Sequence, residues 1–229
     1  MLRAVICLAS ILYCSLVYAA DQPFAVGETI HYSVRKLGLR GKASLVYQGP
    51  VTFKGQKLVL VVFTTEAFNF FDQENIYLDP EDYRPVFVER DLNIFGKKEK
   101  IFEEYLPDEG KIMVTKEASG KTSTQQLEVK GAIDNIYGFI YRYRKQGVFK
   151  VGDTLDVRLP TQQIKIKLTK RTTIKAAGKT YDSYYMHSDP DKYKLWFGAG
   201  PMKLPLRISG AAGFGNTVMI MTDYSTKKE

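Results

Sequence analysis

The residues able to do chemistry are few, and carboxylates supply most of them. Asp72 and Glu74, two apart in "FFDQENIY", and the adjacent Glu103 and Glu104 in "KIFEEYL" are the pairs suited to a glycan-cleaving site, which needs two carboxyl groups across a cleft. Neighbouring residues on a strand point to opposite faces, so Glu103 and Glu104 cannot converge, whereas Asp72 and Glu74 share a face. The two histidines, His31 and His187, are too few for a three-histidine zinc site, and neither lies in an HExxH pattern. His187 stands near Asp189 and Asp191 in "MHSDPDKY", which reads more simply as an Asx-Pro turn than as a metal site or acid-base pair. His31 falls on the polar side of an alternating segment and is expected to be exposed. There is no GxSxG elbow and no SxxK pair, the commonest serine hydrolase signals of exported enzymes. Catalysis is therefore not the expectation, and neither a cofactor nor a metal is called for.

The beginning of the chain sets the compartment. Arg3 is followed by the weakly polar run "AVICLASILYCSLVYAA", which ends in small residues, with Val17 and Ala19 placed as a cleavage site requires. This predicts a signal peptide over 1–19 and a mature single domain over 20–229. The run is shorter than the ~20 apolar residues of a bilayer span and carries Ser10, Tyr13, Ser15 and Tyr18. Membrane contact is then expected to be peripheral at most. The bulky Tyr13 beside Cys14 argues against lipid attachment at that cysteine. Both cysteines, Cys7 and Cys14, lie in the leader, so the mature domain is expected to have no disulfide and no thiolate chemistry. The formal charge of +8 falls by one, to +7, when Arg3 is removed. An exported chain of that charge is expected to meet lipid headgroups, acidic glycans or no particular anion rather than nucleic acid, and a lysine-rich solvated surface is the simpler reading.

The elements that must position these side chains are mostly strands. "ETIHYSVRK" places Ile30, Tyr32 and Val34 on one face and His31, Ser33 and Arg35 on the other, and "KASLVYQG" repeats the alternation. "KLVLVVFTT" is apolar on both faces and should be covered on both. "ENIYLDP" and "RPVFVERDLNIF" follow, and "KEKIFEEYLPDEGKIMVTKE" reads as a hairpin turning at Pro107 to Gly110. One segment changes period. In "AIDNIYGFIYRYRKQG" the residues Ile133, Ile136, Tyr137, Ile140 and Tyr141 recur at helical spacing, with Asp134 or Asn135 as the cap and Gly147 as the stop. Strands then resume in "QIKIKLTKRTTIK" and "YDSYYMHS", joined by a turn at Ala177 to Lys179. The glycine clusters in "KLWFGAGPMKLPLRISGAAGFGNTVMIM" open no helix, so they read as turns between three more strands rather than as a phosphate cradle. The expected fold is mainly β: one antiparallel, strongly curved sheet, barrel or half-barrel in form, with a single amphipathic helix packed across it.

With these pieces in order, the chain resembles the DUF3108 family of exported bacterial proteins, whose function is unknown. The resemblance rests on "GETIHYSVRKLGLRGKASL" at 27–45, "YLDPEDYRPVFVER" at 77–90, "AIDNIYGFIYRYRK" at 132–145, "FKVGDTLDV" at 149–157 and "KLWFGAGPMKLPLRI" at 194–208. It implies a β-rich periplasmic domain of a Gram-negative bacterium, similar to curved-sheet carriers, and it brings no catalytic residue with it.

Aromatic residues are the remaining resource. They make up 13% of the chain and concentrate in "AFNFFDQENIY". A curved sheet facing one helix can enclose an apolar cavity. If it does, Phe68, Phe70, Tyr77, Tyr137, Ile140 and Trp196 are the residues expected near it, with lysines at its mouth; core packing is the simpler reading of each taken singly. The leading expectation is a binding or carrier domain for a lipid-like, apolar anionic component of the cell envelope. The alternatives are an assembly factor that adds a strand of a partner envelope protein to its sheet and a glycan-active enzyme using a carboxylate pair.

Overall fold

In the computed structural model, which describes residues 23–36, 39–210 and 217–226, the chain forms one antiparallel sheet of fourteen strands and one α-helix. The segment read as a signal peptide and the glycine run at 211–216 lie outside the described residues.

The first eight strands form a meander: β1 (Glu28–Lys36), β2 (Leu39–Phe53), β3 (Gln56–Ala67), β4 (Phe70–Leu78), β5 (Pro85–Ile94), β6 (Lys97–Leu106), β7 (Lys111–Ala118) and β8 (Lys121–Glu128). After the helix α1 (Ile136–Gln146) come β9 (Thr154–Leu159), β10 (Gln162–Ala176), β11 (Lys179–Asp189), β12 (Lys194–Gly198), β13 (Pro205–Ser209) and β14 (Val218–Ser225). The sheet order runs from β8 down to β1, then from β14 down to β9. Strands β8 and β9 are its two edges and do not pair with each other, so the sheet curves without closing into a barrel. The expected single antiparallel sheet with one helix is the fold observed, and of barrel and half-barrel it takes the open form.

Hairpin chemistry fixes the register. Four two-residue turns, Lys54-Gly55, Phe95-Gly96, Ser119-Gly120 and Ala177-Gly178, hold both residues at positive φ. That geometry matches the twist of the flanking strands. Apolar alternation gives the sheet an inner, core-facing side, and α1 packs against it at β3. The main core joins Tyr32, Tyr47, Phe63 and Ile76 of the first wing to Leu168, Met186, Phe197 and Met219 of the second, with Tyr137, Ile140 and Tyr141 of α1 among them. A smaller cluster of Leu58, Tyr77 and Phe87, with Phe53 and Phe102 packed against it, covers the outer face of β2 to β6. Strand β3 is thus covered on both faces, as its apolar run requires.

Helix α1 starts where Asn135 accepts the backbone N–H groups of Tyr137 and Gly138 and ends at Gly147 in the left-handed conformation. Both caps match the sequence reading. Gly138 is less favourable than alanine in a helix by about 1 kcal/mol. A Cβ there would lie 2.8 Å from Leu78 Cδ2 and 3.2 Å from the Tyr83 carbonyl oxygen. The close approach of helix to sheet demands a residue without a side chain.

Candidate functional site

Two buried groups of charges anchor the two ends of α1. At the C-terminal end Arg144 donates to both Glu28 carboxylate oxygens, at 2.7 and 3.0 Å, and through Nε to the Met202 carbonyl at 3.2 Å. Tyr224 adds a hydroxyl to the same carboxylate at 3.2 Å. Here one guanidinium meets one carboxylate, and the last turn of the helix is where a cation is favoured by the helix dipole. The pair ties α1 to the start of β1, 116 residues away in sequence.

The group at the N-terminal end is not matched in this way. Asp72 and Glu74 project from β4 onto the inner face of the sheet, where Glu74 pairs in register with Arg90 of β5 and Asp72 with Thr65 of β3. Arg90 binds Asp72 through two parallel bonds of 2.7 and 2.6 Å, and its Nε lies 3.8 Å from Glu74. Glu103, on the inner face of β6, accepts the Tyr105 hydroxyl at 2.6 Å. Asn135, already the helix cap, donates to Glu74 at 3.5 Å. Three carboxyl groups therefore share one guanidinium. Asp72 takes both short bonds, and Glu74 is left with one long contact and one weak hydrogen bond.

The electrostatics follow. Burial pushes the Glu74 carboxyl up to about 7; Arg90 opposes the shift, while the charges of Asp72 and Glu103 add to it. Glu103 is raised as well, by burial, against the Tyr105 hydroxyl and Arg90. The site is not sealed: the Asp72 side chain is 1% exposed, but Glu74 is 13% and Arg90 23% exposed. A carboxyl that exchanges its proton near neutral pH, next to a fixed guanidinium, can bind a cation or move a proton. Glu104 points to the opposite face and takes no part, as the adjacency rule requires. His31 is exposed on β1. Asp191 pairs with Lys194 at 2.9 Å, in the turn that follows His187.

The six residues expected around an apolar cavity are not brought together. Tyr137 and Ile140 are buried on the inner face, and the Tyr137 ring stacks on Phe63 at 3.9 Å. Tyr77 belongs to the outer cluster, stacked on Phe53 at 3.9 Å, with its hydroxyl on Glu89. Trp196 alternates outward between the core residues Leu195 and Phe197 and lies against Tyr185 and Arg207. Phe68 is exposed at the β3–β4 turn, and Phe70 is half-buried at the start of β4. The reason is period: Tyr77 and Trp196 sit one residue out of phase with the core-facing positions of their strands.

Sequence reasoning did not find the two edge strands. In the β7–β8 hairpin the two-residue turn makes Ala118 and Lys121 a hydrogen-bonded pair, and the Val129 N–H to Gly110 C=O bond of 2.8 Å confirms the phase at the other end. Thr122, Thr124, Gln126 and Glu128 accordingly turn their main-chain N–H and C=O groups away from β7. Among the described residues no backbone partner meets them. Strand β8 is regular throughout, without bulge or proline. The β9 edge differs, because the Arg158 carbonyl accepts the Asp134 N–H at 2.6 Å. The Ser-Gly turn at 119–120 was the signal that would have located β8, and the alternation of Leu155, Val157 and Leu159 would have located β9.

Comparison with known proteins adds a family and a fold. Residues 29–222 match the family described as "Protein of unknown function (DUF3108)". Among curated proteins nothing matches significantly. The fold is similar to the crystal structure of a β-barrel-like protein of domain of unknown function DUF1849 from Brucella abortus, with a TM-score of 0.54 at 10% identity, over 89% of this chain and 99% of that one.

Proposed function

The chain belongs to the DUF3108 family, and from that premise we propose that it is an exported, periplasmic binding domain of the cell envelope that takes an extended segment of a partner protein onto strand β8. The observation that carries this reading is the open edge: eight residues of regular strand with four outward-facing pairs of main-chain donors and acceptors. Sheet edges are ordinarily blunted by lysine, proline or bulges because they recruit other strands. The middle of β8, "TSTQQ", has none of these. Strand addition draws its affinity from main-chain hydrogen bonds and its selectivity from alternate side chains. Carriage of an apolar anionic ligand has less support. The six candidate residues diverge, and the polar group inside the sheet is acidic.

The test is photo-cross-linking in cells. A photoreactive residue at Gln125 of β8 is expected to trap a partner polypeptide, one at Asp156 of β9 is not, and T124P, which deletes an outward N–H, is expected to abolish the adduct. Equal adducts from β8 and β9, or an adduct that survives T124P, would overturn the proposal.

A further inference from the structure

The acidic group at the N-terminal end of α1 has more acceptors than its one guanidinium uses. Two buried hydroxyls add to the surplus. Thr65, 3% exposed and directly across from Asp72, has no hydrogen-bond partner for its Oγ1. Tyr137, 1% exposed, has none for its hydroxyl, which lies within reach of the charges of Glu74, Asp72 and Arg90. Buried polar groups are satisfied in native proteins with few exceptions, and each exception asks for a partner. Here two exceptions adjoin the Asp72–Arg90–Glu74 group, in which Glu74 has only the long Arg90 contact and the weak Asn135 bond.

We propose that this group is a receptor for one primary ammonium, with Glu74 as its charge partner, Glu103 as the second carboxylate, and the Tyr137 and Thr65 hydroxyls as neutral acceptors. An ammonium carries three N–H donors and no acceptor; the carboxylates only accept, and each hydroxyl can take an ammonium N–H on a lone pair while its own O–H turns to a carboxylate. A multivalent metal ion suits it less: Asp72 is committed to Arg90, and among the described residues no cluster of three carboxylate, histidine or cysteine ligands is poised for a metal. Glu74 and Arg90 are partly exposed members of the group.

The site couples binding to protons. Glu74 is driven toward the neutral acid by burial and by Asp72 and Glu103, against Arg90 and Asn135. An ammonium favours the ionised form, so binding expels the proton. Between pH 6 and pH 8 the ionised share of a group titrating near 7 rises about tenfold, and affinity for the amine is expected to rise by the same factor.

The amine has two plausible chemical sources, an amino sugar and an ethanolamine headgroup. Isothermal titration of the full-length mature protein with glucosamine and with dihexanoyl phosphatidylethanolamine, each in two buffers of different ionisation enthalpy, distinguishes them. N-acetylglucosamine and the phosphatidylcholine analogue serve as amine-blocked controls. Binding of either primary amine with proton release, tighter at pH 8 than at pH 6, supports the proposal and identifies the source. E74Q is expected to weaken that binding at least tenfold and E104Q, on the outer face, to leave it unchanged. Failure of both amines to bind folded protein at millimolar concentration, equal binding of the blocked analogues, or undiminished binding by folded E74Q would overturn it. None of these outcomes bears on β8, so this site and the strand-addition reading stand or fall separately.

Discussion

The two ends of α1 solve the same problem differently. At its C-terminal end a buried carboxylate meets a buried guanidinium in a bidentate pair, and a tyrosine and a carbonyl complete the set. At its N-terminal end three carboxyl groups share Arg90, and two buried hydroxyls stay unpaired. The edges of the sheet repeat the contrast, with β9 partly covered by the chain entering the helix and β8 left open. Matched charges at one end hold the fold together. The carboxyl groups short of a counter-charge lie on β4 and β6, in the same wing as the open edge at β8, and that is where function is to be sought.

The contrast is broken most directly by making the same substitution at both ends. E28Q leaves Arg144 buried without its counter-charge, and an arginine cannot shed its proton. A loss of about 3–5 kcal/mol is expected, much the same at pH 5 and pH 8, measured by urea unfolding. E74Q is expected to act in the opposite direction. The carboxyl of Glu74 is raised from 4.5 to about 7 in the folded state, so between these values the native protein binds more protons than the unfolded chain. Stability from this group is complete below about 4.5 and is lost as pH rises through about 7. Replacing it by glutamine removes that loss, so E74Q is expected to be more stable than the parent by up to about 3 kcal/mol at pH 8 and nearly equal to it at pH 5.

Two smaller effects sharpen the comparison. G138A gains helix propensity but drives a methyl into Leu78 and the Tyr83 carbonyl, for a net loss of about 1–2 kcal/mol by thermal unfolding. T124P is expected to cost less than about 1 kcal/mol, because the N–H it deletes points to the free edge. The same change at Gln125, whose N–H is in the β7 ladder, is expected to cost more. If T124P proved as damaging as Q125P, the edge would not be free.

What could be read in the sequence was local. Alternation gave the strands that bury one face, and the period change with Asn135 and Gly147 gave α1 and its caps. Strand β8 escaped because "KTSTQQLE" is exposed on both faces, so no apolar alternation marks it. The site was legible only in part. Period 2 says that Asp72 and Glu74 share a face, but it does not say which face is covered, and a polar pair invites assignment to solvent. Their inward direction depends on Ile76 and Leu78 further along β4, and the meeting with Arg90 depends on the β4–β5 register. The Glu28–Arg144 pair, separated by most of the chain, has no local signal at all. The aromatic residues misled for the opposite reason, because composition identifies them without their phase.

The contrast between the two ends is decided by a pH titration of the glutamate side-chain carboxyls by carbon-detected NMR, with E74Q to assign the signal. A Glu74 midpoint near 7 is expected, well above its ordinary value of 4.5. A midpoint in the ordinary carboxylate range near 4.5 would mean that the charge at the N-terminal end of α1 is already compensated, and the contrast between the two ends would fail.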